Sequence, residues 1–129
     1  MQANHIQALA DGMSAAWQKE RSATQMTLGK LIARLEAMPA DALIDGIANP
    51  DSYRGYYEDL AFSSIEKKVT VADALKMCRD AMGQVFYGYK GGEYVMGALT
   101  PLWIAEYGCC GRKFMALTAD GVIETAEDD

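Results

Sequence analysis

Three short stretches of the chain combine aromatic rings, glycines and a basic side chain within a few residues of one another. They are Ser52-Tyr53-Arg54-Gly55-Tyr56-Tyr57, Phe86-Tyr87-Gly88-Tyr89-Lys90-Gly91-Gly92-Glu93-Tyr94 and Tyr107-Gly108-Cys109-Cys110-Gly111-Arg112-Lys113. All 7 tyrosines fall between Tyr53 and Tyr107. An aromatic face can stack on a nucleobase, contributing about 1–3 kcal/mol per base. A guanidinium can hold a phosphate through two parallel hydrogen bonds. Glycines let backbone N–H groups approach an anion that a Cβ would hold away. Convergence of the segments would make a pocket for a flat, anionic ligand. Their plain structural reading is tyrosines in strands, glycines in hairpins and solvated arginines. The pocket reading selects Tyr53, Arg54, Tyr56, Phe86, Tyr89, Lys90, Gly91, Gly92 and Arg112 as ligand-binding residues.

Signatures of catalysis are sparse. The one histidine, His5, falls in an N-terminal helical pattern and reads as a solvated helix residue. With no second histidine there is no Ser-His or Cys-His pair, and His5 is a poor activator for Cys109 or Cys110. Three cysteines alone do not complete a four-ligand zinc site, and their spacing matches no finger. Neither a P-loop nor a dinucleotide fingerprint is present. The expectation is a binding protein, not an enzyme, with no cofactor and no metal. A small enzyme using Cys109 or Cys110 remains an alternative.

These segments must be carried by a single domain, since 129 residues is an ordinary domain length with enough chain to bury a core. Half of the residues are apolar, which argues against wholesale disorder. The net charge of −6 and pI near 4.7 argue against a general nucleic-acid coat. A local basic pocket for one small phosphate-bearing ligand stays compatible with that charge. No charged-then-apolar leader opens the sequence, and no apolar run approaches the roughly 18 residues of a membrane helix. No membrane partner is expected, and the three cysteines should be reduced thiols in a cytoplasm.

Hydrophobic spacing predicts the elements. Ile6, Leu9, Met13 and Trp17 mark an amphipathic helix over residues 3–22, whose apolar face packs on a neighbouring subunit or on its own domain. Thr27 caps a second helix with the stripe Leu28, Leu31, Ile32, Leu35 and Met38, ended by Pro39. Residues 42–47 and 60–64 read as short strands, separated by an Asn49-Pro50-Asp51-Ser52 turn. Thr70 and Asp73 form a capping box for a third helix with Val71, Ala74, Leu75, Cys78 and Met82 on one face, and Gly83 as its exit. Strands over 85–89 and 93–96 form a hairpin at Lys90-Gly91-Gly92. Residues 102–107 make a strand opened by Pro101, and 113–117 pairs with 122–125 through Ala119-Asp120-Gly121. The expectation is an α+β protein with about three helices, two N-terminal and one central, packed on a mostly antiparallel sheet. Residues 1–25 form a helical arm, 26–125 one ligand-binding domain and 126–129 an acidic tail.

The words Ser-Tyr-Arg-Gly-Tyr-Tyr-Glu-Asp-Leu-Ala-Phe (52–62), Gly-Tyr-Lys-Gly-Gly-Glu-Tyr (88–94) and Glu-Tyr-Gly-Cys-Cys-Gly-Arg (106–112), with the opening Met-Thr-Leu-Gly-Lys-Leu-Ile (26–32), resemble a widespread set of small bacteriophage proteins. The resemblance covers about residues 26 to 117. Within that set the pattern is similar to the phage anti-Thoeris sponge family, whose members bind a cyclic ADP-ribose isomer and keep it from its effector. The resemblance implies a homo-oligomer, such as a hexamer, in the cytoplasm of the infected bacterial host. It implies that the chain sequesters a cyclic nucleotide immune signal, a cyclic ADP-ribose isomer or a cyclic oligonucleotide, without cleaving it. In that family an aromatic residue and an arginine sandwich the base, which carries over to Phe86 and Arg112, with Arg54 and Lys90 facing phosphates. The alternative is a protein-binding anti-CRISPR or other host-takeover inhibitor, acting through an acidic surface and exposed aromatics.

Overall fold

The computed structural model describes residues 25–53, 57–88, 91–106 and 109–127, with no side chains described for 106, 109 and 110. The expected helix over residues 3–22 lies outside the described residues. Two helices and seven strands are described: α1 (Leu28–Glu36), β1 (Leu43–Asp51), β2 (Leu60–Thr70), α2 (Val71–Ala81), β3 (Val85–Tyr87), β4 (Glu93–Val95), β5 (Leu102–Glu106), β6 (Cys109–Leu117) and β7 (Ile123–Ala126). The α+β class is as expected. The main sheet runs β1-β2-β5-β6-β7, antiparallel except for the parallel β2–β5 pair, and β3–β4 form a separate two-stranded hairpin.

Both helices start where their sequence predicts. The Thr27 hydroxyl accepts a hydrogen bond from the Lys30 N–H at 3.2 Å, and the Thr70 hydroxyl accepts one from the Asp73 N–H at 3.1 Å. Each cap satisfies a first-turn donor that the helix itself leaves without a partner. Leu28, Leu31 and Leu35 of α1 and Val71, Ala74, Cys78 and Ala81 of α2 are buried against one face of the sheet. That face supplies Ile44, Ile47, Leu60, Phe62, Leu102, Ile104 and Phe114. Met82 falls outside the stripe, because α2 ends at Ala81 and Met82 turns into extended backbone, leaving it 38% exposed. Period-two alternation sends Ala61 and Trp103 to the opposite face, where Tyr53 and Ala105 pack with them.

The strands depart from their expected bounds where the ladder is irregular. β1 runs on through Asn49 and Pro50, which the sequence predicts as a turn. It accommodates them with a bulge between Ala48 and Asp51, at which Asn49 takes φ +48. β2 extends to Thr70 through the charged stretch Glu66-Lys67-Lys68, which lacks the apolar alternation that marks a strand. Opposite Asp45, two steps along β1 (Ile44 to Gly46) span four along β2 (Val69 to Ile65), so β2 arches outward. Gly46 sits under this arch, where an added Cβ would lie 2.1 Å from the Lys67 carbonyl oxygen.

Although β1 and β7 are the two ends of the hydrogen-bonded order, the sheet curls enough to bring them together. The Asp45 N–H donates to the Gly121 carbonyl at 2.8 Å, and the Ile123 N–H donates to Asp45 Oδ2 at 2.9 Å. Lys68 Nζ meets Asp45 Oδ1 at 3.1 Å. Asp45 thus ties β1, β2 and β7 into one unit. The Ile123 N–H, followed by Lys68, holds its carboxyl below the ordinary value of 3.8, against the opposing effect of burial. A carboxylate depressed on folding stabilises the fold above its unfolded value and loses that contribution as pH falls through its folded value. Acid titration followed by circular dichroism should therefore show wild type losing stability below about pH 4, with Asp45→Asn less pH-dependent there and less stable at neutral pH.

Candidate functional site

The β3–β4 hairpin is built from alternating side chains whose register places Phe86 opposite Tyr94 and Val85 opposite Val95. Phe86 and Tyr94 are half-buried and pack against the main core, whereas Val85, Tyr87 and Val95 are exposed on the other side. The turn is closed by Gly88 N–H to the Gly92 carbonyl at 3.1 Å and Gly91 N–H to the Gly88 carbonyl at 3.0 Å. Gly91 and Gly92 have φ +100 and +90, a region in which a side chain is strained. These two glycines therefore serve the turn geometry, and the Gly91 N–H is committed to Gly88 instead of being presented to an anion.

The first and second aromatic–glycine segments meet at this turn. Tyr57 stacks on Tyr94 with ring centroids 5.1 Å apart and planes inclined by 26°. Gly88 lies against both rings, and a Cβ there would come within 3.1 Å of Tyr94, 3.4 Å of Tyr57 and 2.7 Å of the Gly91 carbonyl oxygen. Ser52 holds the incoming chain by donating its hydroxyl proton to the Tyr57 carbonyl at 3.1 Å. Tyr53, four residues before Tyr57, instead packs beside Ala61 and Trp103. Arg54, Tyr56, Tyr89 and Lys90 lie outside the described residues.

The third segment has a different course. β6 runs straight through Cys109-Cys110-Gly111-Arg112, with one extra residue relative to β5 between the Ile104–Arg112 and Glu106–Cys109 pairs. Gly111, at φ +73, supplies the left-handed backbone inside that irregular stretch. Arg112 points to β7: its Nε donates to Thr125 Oγ1 at 2.8 Å, and Nη1 lies 3.6 Å from Glu127 Oε2. The described structure thus joins Phe86, Tyr94, Tyr57, Gly88, Gly91 and Gly92 around one hairpin and ties Arg112 to the end of the curled sheet.

Two aromatic members of this site, Tyr57 and Tyr94, are absent from the residues selected by sequence. Tyr94 was accessible in principle, because a turn closed between Gly88 and Gly92 puts it across from Phe86. Tyr57 carried no such signal, since its partner depends on how the chain folds back.

A second concavity lies at the β2 arch. It is a concavity of about 230 Å³ lined by Asp45, Gly46, Ile47, Ser64, Ile65, Glu66, Lys68, Ile104, Ile123 and Thr125. None of its polar residues belongs to the aromatic–glycine segments; the β2 arch and the curl that brings β7 to β1 gather them.

The chemistry available to the hairpin site is stacking and hydrogen bonding. The thiol described in full, Cys78, is buried in the core, where loss of solvent pushes its pKa up to about 12 and keeps it protonated. Among the described residues, no three or more His, Cys, Asp or Glu side chains are grouped to hold a metal ion. No described helix is long and apolar enough to cross a membrane. No protein-family model matches the chain, and neither a curated protein nor a solved structure does.

Proposed function

We propose that the protein is a phage counter-defence sponge that binds a cyclic nucleotide signal at the β3–β4 hairpin and holds it without cleaving it. The observation that carries this reading is the stacked Tyr57–Tyr94 pair seated against Gly88, where two separate aromatic–glycine segments meet. A stacked pair at a side-chain-free glycine offers a flat platform on which a nucleobase extends the stack. Arg54 and Lys90, which lie within these same segments in sequence, would supply the charge for phosphates. The reading places the protein in the cytoplasm of an infected host as a homo-oligomer.

Titration calorimetry with cyclic ADP-ribose isomers and cyclic di- and trinucleotides tests it. Tyr94→Ala should weaken the bound ligand roughly ten- to a hundredfold, from the loss of about 1–3 kcal/mol of stacking. Unchanged affinity in a folded Tyr94→Ala protein would remove the hairpin from the site. A specific observation favours a second reading, a protein-binding inhibitor: the outer hairpin face exposes Tyr87 at 70% and Val95 at 60%. Under that reading, Tyr87→Ser would abolish capture of a host protein in a pull-down while leaving nucleotide titrations flat.

A further inference from the structure

We propose that residues 3–22, as an amphipathic helix, cover the second face of the main sheet by seating their apolar stripe over Ala61 and Trp103 of the same chain. This docking is separate from the hairpin and does not depend on the function proposed for it.

The parallel pair β2–β5 begins with both of its faces buried. Leu60, Ala61 and Phe62 on β2 are buried in succession, as are Leu102, Trp103 and Ile104 on β5. Alternation puts Leu60, Phe62, Leu102 and Ile104 in the main core with α1 and α2, and sends Ala61 and Trp103 to the other side. Ala61 and Trp103 are partners in the register, at 0% and 2% exposure. Strands buried on two faces need a layer on each, as parallel strands usually have. Both described helices belong to one layer.

On the other side, the apolar neighbours among the described residues are Tyr53 and Ala105, each only partly buried itself, with Lys113 opposite Trp103 in the register. An indole that buries on the order of 150–250 Å² calls for a more extensive apolar partner. The burial is complete within one chain, so the missing layer belongs to the same molecule. Outside the described residues lie 1–24 and the short stretches 54–56, 89–90, 107–108 and 128–129. The first alone is long enough for a helix, and Ile6, Leu9, Met13 and Trp17 give it an apolar stripe.

The tether sets the location. The described chain begins at Gln25, which is buried and donates from its side-chain amide to the Leu102 carbonyl at 2.7 Å, one residue before Trp103. Residues 23 and 24 alone separate the expected helix from this anchor, a reach of at most about 7 Å. The C-terminal half of the stripe, Met13 and Trp17, is therefore held near the start of β5. The competing apolar seat is the outer hairpin face, but Tyr87 and Val95 are exposed there in the same chain that covers Trp103.

The test is tryptophan fluorescence of the full chain carrying Trp17→Phe, which leaves Trp103 as the sole tryptophan. Adding Met13→Asp, a charge in the stripe, should shift Trp103 emission to the red and raise its quenching by acrylamide severalfold. Adding Gln18→Glu, on the polar side of the same helix, should change neither. Trp103 emission unaltered by Met13→Asp, or exposed instead by Tyr56→Ser, would overturn the proposal. Because a buried charge can also unfold a domain, NMR of the wild-type chain gives an independent reading. NOEs from Met13 or Trp17 to Ala61 or Trp103 are expected, and they should vanish in a mixed-label sample filtered for contacts between chains. NOEs from that stripe to Tyr87 and Val95, or NOEs that persist between chains, would each overturn it.

Discussion

Gly121→Ala is expected to be among the most damaging single-methyl additions to this chain. Gly121 lies in the β6–β7 turn at φ +87, where an L side chain costs roughly 1–2 kcal/mol. Its Cβ would also stand 2.3 Å from the Leu43 carbonyl oxygen and 3.0 Å from the Ile44 Cα. Neither obstacle is a side chain that can rotate away, so relief requires β1 and the turn to separate. Separation strains the Asp45 N–H to Gly121 hydrogen bond, and with it the junction that closes the curled sheet. Overpacking of this kind adds about 1–3 kcal/mol. At this chain length each kcal/mol shifts the melting temperature by roughly 4 °C, so a thermal melt should fall by about 10–15 °C. A melt within 2 °C of wild type would mean that β1 and the β6–β7 turn are not in contact.

Phe62→Ala should cost as much by the opposite route, about 3–5 kcal/mol from lost burial and the cavity left behind. Phe62 is fully buried in the interior strand β2, paired with Ile104 on the central strand β5. It belongs to the core that both helices cover, so no solvent can fill the vacated space without contacting apolar walls. Urea unfolding should show a lower midpoint with an unchanged slope, the mark of lost stability without a change in surface exposed. Phe62→Leu, which keeps most of the volume, should recover more than half of the loss.

The parts of the fold governed by local rules were legible in the sequence. Thr27 and Thr70 cap the helices they were expected to cap, because a hydroxyl before an apolar 3.6-residue stripe has few other uses. Gly91-Gly92 and Gly121 sit in turns with positive φ, as glycine between two alternating runs implies. Features set by tertiary pairing carry no such local mark. Glu66, Lys67 and Lys68 look like solvent-facing loop residues, yet β2 runs through them because Ile65 and Val69 on either side both pair with β1. Asn49-Pro50 looks like a turn, yet a bulge absorbs it within β1. The parallel β2–β5 pair and the curl that brings Asp45 to Ile123 connect residues far apart in the chain, with no local signal for either.

The site divided in the same way. Phe86, Gly91 and Gly92 were placed in one hairpin by alternation and turn chemistry, and the structure keeps them there. Arg112 was joined to them by resemblance of residue types, whereas its hydrogen bond goes to Thr125 on β7. A glycine beside an arginine is equally the signature of an irregular strand, and Gly111 serves that purpose here. Tyr57 became visible only through its ring contact with Tyr94.

The central claim, that the chain holds a cyclic nucleotide and leaves it intact, is tested most directly by mass spectrometry of what heat releases. The purified protein would be incubated with a mixture of cyclic ADP-ribose isomers and cyclic di- and trinucleotides, freed of unbound ligand by gel filtration, and then denatured. The account predicts one cyclic nucleotide released unaltered, in a fixed ratio to the chain, and lost from Tyr94→Ala. A supernatant without nucleotide, or one containing only a linearised or hydrolysed product, would contradict it.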